Sequence, residues 1–324
     1  MLVESTAVGH MPLETAGYQA LHTQFKRLRK NVRALQHGDG GQRDQHEYDA
    51  EAIHDARVAS RELRTLLQLL EPAPGFTRKR LRGLHARLGT LAQALGDVRD
   101  GDVLLGLLAA YEEQRQNTQN THDASDTGNT GDQCADLRPL RDELQRRQTA
   151  ARDALDNLLA AKQTRRLLRA LRKLTRKRKE PPGVHPILVR HFVGSALWQR
   201  YEAILRYETD LPDASMETLH ALRIACKELR YSLHLFGFKS GHEPEPVELI
   251  LATLKAAQDQ LGRLHDLLVA REIVRALPST PALDSYFAAL TQESDQLRAA
   301  AGPVWERLSG EEMRQALAGF IAGL

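Results

Sequence analysis

Cysteine is scarce: the 324-residue chain carries two, Cys134 and Cys226. Two cannot build a disulfide framework, and both read as free thiols, one in a polar linker and one on a helix beside its apolar side. Aromatic residues reach only 5%, which argues against the stacking platforms of single-strand nucleic-acid binders. Long apolar runs are missing. The longest, Val103 to Tyr111, falls far short of the roughly 20 residues a membrane span needs. The opening MLVESTAVGHMPLE has no basic stretch followed by an apolar core, so it does not read as a secretory signal. Alternating strand patterns are absent as well. Together these absences point to a cytosolic chain of helices.

What is present is an ordinary globular balance, 42% hydrophobic and 27% charged, with a formal net charge of only +3. The charge is unevenly placed. Residues 111–136 hold Glu112, Glu113, Asp123, Asp126, Asp132 and Asp136 against Arg115, leaving about +8 on the rest. Residues 162–179, KQTRRLLRALRKLTRKRK, carry ten Lys/Arg and no acid. Local cationic density of this kind suits polyanions: nucleic acid, inositol phosphates, polyphosphate or anionic lipid.

Periodicity predicts helices over 15–36, 47–70, 77–111, 136–179, 187–209, 214–236, 244–276, 280–300 and 303–322. Pro72, Pro74 and Gly75 separate the second from the third, and Pro181, Pro182, Gly183 and Pro186 separate two halves. Residues 116–133, polar and low in complexity, read as a disordered insert.

Two stretches 166 residues apart share one pattern. IHDARVASRELR at 53–64 returns as LHALRIACKELR at 219–230, and LGDVRD at 95–100 returns as LGRLHD at 261–266. His54, Arg57, Arg61 and Arg64 thus match His220, Arg223, Lys227 and Arg230. Spaced i, i+3, i+7 and i+10, each quartet occupies an arc of roughly 80° on a helix. Ala56, Ala59, Leu63, Leu66, Leu67 and Leu70 fall on the opposite side of the first copy, and Leu222, Ala225, Leu229, Ser232, Leu233 and Phe236 on that of the second. A packed back and a cationic front result, and four like charges on one stripe call for an anion. The expected fold is all-α: two pseudo-symmetric four-helix bundles from an internal duplication, residues 1–180 and 187–324, joined by the long helix at 136–179.

The H-x2-R-x3-R-x2-R helix, its second copy LHALRIACKELRY and the later LG-x3-D elements resemble the CHAD domain, the conserved histidine alpha-helical domain. The resemblance runs from about residue 15 to the end. It implies two pseudo-symmetric four-helix bundles that bind inorganic polyphosphate on a basic surface, often at polyphosphate granules. The implied contacts are His54, Arg57, Arg61, Arg64, His220, Arg223, Lys227 and Arg230. The E-x-E-x-K strand signature of the triphosphate tunnel domain fused to some members is not found, so the chain looks like the stand-alone form.

The residue types agree with that implication. Polyphosphate offers roughly one charge per phosphate and no bases to stack on. Arg forks suit bidentate phosphate contacts and Lys acts as a point charge. Binding should weaken with salt, and protonated histidine should strengthen it as pH falls toward 6. Lys30, Arg33, Arg82, Arg200 and Lys255 are further candidates for the track, or simply solubilising residues. The 165–179 cluster either touches ligand or is the polar side of its helix. Asp100 and Asp266, at matched positions, either orient a cation or cap a helix. No metal site is expected: Asp97, Asp100 and Asp102 lack calcium-loop spacing, and the His54-Asp55 dipeptide has Ala221 in place of the acid in the second copy. No cofactor is expected either. A nucleic-acid binder and a phosphoanhydride-processing enzyme are the alternatives. The cationic faces supply neither the carboxylate-held metal nor the activated nucleophile that such an enzyme normally uses, so the expectation is a non-enzymatic binding protein.

Overall fold

The computed structural model describes residues 8–37, 50–122, 137–176, 186–208, 214–236 and 245–324. Among them are helices α1 (Leu13–His37), α2 (Ala50–Leu70), α3 (Arg78–His122), α4 (Arg138–Ala160), α5 (Lys162–Leu174) and α6 (Val189–Leu205). They are followed by α7 (Met216–Phe236), α8 (Glu245–Arg275), α9 (Pro281–Ala299), α10 (Ala301–Ser309) and α11 (Glu311–Ala322). The fold is all-α. No helix among the described residues is long and apolar enough to cross a membrane.

Helix α2 forms as its apolar spacing dictates: Ala56, Ala59, Leu63, Leu66, Leu67 and Leu70 are all fully buried. Helix α7 does the same through Leu222, Leu229 and Leu233, with Cys226 and Ser232 also enclosed. Both helices run 21 residues, and their first residues, Ala50 and Met216, stand 166 apart, the offset of the sequence repeat. In the first half α1 packs on α2, α2 on α3 and α3 on α4. In the second, α7 packs on α6 and α8, and α8 on α9, α10 and α11. Across the middle α2 lies directly against α7. The segments leading into α1 and α6 also join: Leu13 N–H donates to the Ile187 carbonyl at 2.7 Å and Val189 N–H to that of Met11 at 2.9 Å. These bonds satisfy amides that a helix start would otherwise leave open.

The apolar interior is not divided at the chain midpoint. One cluster takes in α1, α2 and α3 together with α6, α7 and α8. A second joins Leu104 and Leu108 of α3 and Leu140 and Leu144 of α4 to Leu267, Ile273 and Tyr286 on α8 and α9.

Three boundaries differ from the sequence reading. The expected helix over 136–179 is two helices, because Ala161 is extended at φ −63°, ψ 147°. No proline or glycine marks that break. Thr164 closes it by donating to the Leu158 carbonyl at 2.6 Å, and the turn lets Leu167, Leu171 and Leu174 bury in the first cluster. The expected helix over 303–322 is likewise interrupted at Gly310. Helix α3 runs on to His122, so residues 116–122 of the expected insert are helical. The rest of that insert, with Cys134, lies outside the described residues, as do residues 177–185. Gly75, at φ +84°, turns the chain after Pro72 and Pro74 and sits against the Glu14 side chain.

Candidate anion-binding site

Four helices converge on an open cavity of about 1120 Å³. Helix α2 contributes His54, Arg57 and Arg61, and α7 contributes Arg223, Lys227 and Arg230. Helix α1 adds Arg27, and α8 adds Gln258, Gly262, Arg263 and Asp266. The spacing that places each quartet on one face brings six of the eight sequence-predicted residues into this one space. Arg64 and His220 stand elsewhere. Arg64 lies by Gly89 of α3, and its charge acts on His85 and Glu228. His220 packs its ring on His265, centroids 5.1 Å apart.

The centre of the cluster is strongly cationic. Arg57 donates to Asp100 at 3.1 Å. Burial, then Arg61 beside it, brings its pKa down to about 10, against the pull of Asp100. Arg223 is also lowered, again by burial first, with Asp266 and Asp100 opposing and Arg61 reinforcing. Lys227 is the extreme case, brought down to about 6 by burial and by Arg61, Arg223 and Arg57 around it. His265 falls to about 4, through burial first and then Arg223 and His220 beside it. Burial raises the Asp266 carboxyl although Arg223 pulls it down. The Nε atoms of Arg57 and Arg223 are buried without an acceptor, an arrangement that costs stability. These groups gather where burial and like charge both disfavour them, a pattern typical of functional sites.

Asp100 and Asp266 lie inside α3 and α8, so neither caps a helix. Each instead faces the Arg of matching position, Arg57 or Arg223.

The stripes are not wholly uncompensated, as the sequence reading had them. Glu62 of α2 pairs with Arg27 at 2.9 Å and also feels Arg230 of α7. Glu228 of α7 correspondingly feels Arg200 and Arg64. Burial raises both carboxyls. The fourth cation of each quartet therefore meets an acid from the opposite helix. Arg230 also donates to Gln258 at 2.9 Å, and Gln258 in turn donates to the Cys226 carbonyl at 3.1 Å.

None of the five further candidates lines the cavity. Lys30 and Arg33 are exposed on α1. Arg82 is paired with Glu71 at 2.6 Å, and Lys255 with Asp259 at 3.0 Å. Arg200 is turned to the Ala196 carbonyl at 3.2 Å. Sequence reasoning missed Arg27, Gln258, Arg263 and His265. Arg263 and His265 stood in the repeated LGRLHD element. Arg27 had no repeat to single it out from the KRLRK run. Among the described residues no three His, Cys, Asp or Glu side chains gather as a metal-binding group.

The CHAD domain model matches residues 19–275. The chain belongs to the CHAD domain family. Its fold is similar to that of the CHAD domain from the plant Ricinus communis: TM-score 0.60 and 23% identity, over 96% of this chain and 93% of that one. It is also similar to PptA from Streptomyces chartreusis, with TM-score 0.68 and 15% identity over 91% of this chain and 100% of that one. No curated protein matches. At these identities the two structures speak for the fold alone.

Proposed function

We propose that this CHAD protein binds inorganic polyphosphate, without turning it over, in the cavity between α2 and α7. The observation that carries the reading is the lining itself: seven Lys/Arg face three acids around one open space. Of these, Arg57, Arg223 and Lys227 repel one another where Asp100 and Asp266 answer them only in part, so a polyanion is favoured there. A linear phosphate chain presents closely spaced charge and no apolar surface, and the described lining of the cavity offers mainly guanidinium forks, with Tyr231 its one Phe, Tyr or Trp. Association with polyphosphate granules in the cytoplasm follows as the cellular expression of that affinity.

Calorimetric titration with polyphosphate of defined length, at two salt concentrations, tests the proposal. Affinity should fall with salt as counterions are released. An Arg57→Ala/Arg223→Ala variant should bind at least about tenfold more weakly, since each charged hydrogen bond is worth roughly 1.5–3 kcal/mol. Affinity within twofold of wild type would remove the cavity from consideration. Duplex DNA should displace polyphosphate poorly, and incubation with Mg²⁺ should leave chain length unchanged.

A further inference from the structure

A second concave site lies on the far side of α1, where that helix meets α5. It holds about 580 Å³, within the range of small-molecule pockets. Its floor is aromatic. Buried Phe25 closes it from beneath, and half-buried Tyr18, held by Phe76 with ring centroids 5.1 Å apart, is the exposed aromatic face. Its rim is cationic, with Lys26 and Arg29 from α1 and Arg172 and Arg176 from the arginine-rich run at 162–179. Among the described residues these four cations form no ion pair. Arg29 instead lies over the Phe25 ring, 5.8 Å from its centroid. Glu14 is the one acid at the edge.

This composition differs in kind from the central cavity. An inorganic phosphate chain would satisfy the rim but press hydrated oxygens against Tyr18. A ligand with a flat ring at one end and phosphates at the other satisfies both. Bases stack readily on such rings and on guanidinium planes. A carboxylate at the edge accepts from an exocyclic amine or a ribose hydroxyl. We propose that the α1–α5 groove binds a nucleoside triphosphate, with its base on the half-buried Tyr18 ring and its phosphates on Lys26, Arg29, Arg172 and Arg176. The groove and the central cavity adjoin at Gln19, which lines both, but their cations are distinct and separable by mutation.

The test is calorimetric titration of the full chain with magnesium-free ATP, adenosine and tripolyphosphate. ATP should bind in the range of roughly 1 mM or tighter, and adenosine more weakly. Arg172→Gln/Arg176→Gln, which alters exposed side chains only, should lower ATP affinity about tenfold and leave long-chain polyphosphate binding within twofold. Arg57→Ala/Arg223→Ala should do the reverse. Tyr18→Leu keeps the floor apolar and should still weaken ATP about threefold. Three results would overturn the assignment. One is no ATP binding at all. Another is ATP binding lost with the central Arg pair rather than with Arg172 and Arg176. The third is tripolyphosphate matching ATP in the groove, which would make it an extension of an inorganic phosphate track.

Discussion

Lys227 sets how the central site answers to pH. It is influenced by Arg57 and Arg61 of α2, Asp100 of α3 and Arg223 of its own helix. It acts in turn on His220, also of α7, and on His265 and Asp266 of α8. With its pKa brought down to about 6, Lys227 is largely neutral in the empty protein at neutral pH. A bound polyanion raises that pKa and draws in a proton. The complex then holds more protons than the free protein between about pH 6 and the ordinary lysine value of 10.5, so affinity falls as pH rises through that window. Log affinity plotted against pH should slope toward about −1 in wild type, and Lys227→Arg should flatten it. Titrations in buffers of different ionisation heat count the protons taken up, and undiminished uptake in the variant would rule Lys227 out. The unfolded chain also holds more protons than the empty native state in this window, so the empty protein gains stability as pH rises from about 6. Burial and Arg223 lower His220 below its ordinary 6.5, so it adds charge only at lower pH.

At the scale of helices, α2 and α7 owe their formation and placement to their apolar backs, independently of the charges they carry. Leu63 and Leu229 are both completely buried. Leu63→Ala or Leu229→Ala should destabilise by about 2–5 kcal/mol, read as a lower urea midpoint. Arg61→Ala, on the front of α2, should leave that midpoint unchanged or raise it while weakening anion binding, since it removes like charge from Arg57 and Lys227. Most helices were legible because the i, i+3, i+4 pattern of Leu and Ala encodes them locally. The break at Ala161 was not, because KQT after LLAA carries no local stop signal. The Thr164 bond to Leu158 and the packing of Leu167 and Leu171 settle it through contacts. The same holds for the site. His54, Arg57, Arg61, Arg223, Lys227 and Arg230 were visible as repeated charges. Arg27 and Gln258 enter only because α1 and α8 happen to flank them in space.

For the molecule as a whole, one shared core holds the two cationic helices face to face, and that core opposes the repulsion concentrated at the cavity. An anion that binds the native state should therefore act as a stabiliser. At a polyphosphate site concentration near 100 times Kd the gain should be about 2.7 kcal/mol, visible as a rise in Tm that shrinks with salt and disappears in Arg57→Ala/Arg223→Ala. A rise persisting in that variant would place the stabilising site elsewhere, the arginine-rich α5 being the first place to look.

The amino-acid order by itself determined the helical class, the two matched quartets and which face of each helix is buried, because those follow from spacing along a single helix. Tertiary structure alone decided which cations share a cavity, which are answered by Glu62, Glu228, Asp100 or Asp266, and that burial and like charge lower Lys227. Such outcomes depend on distance and burial between helices far apart in the chain, and no local pattern records those.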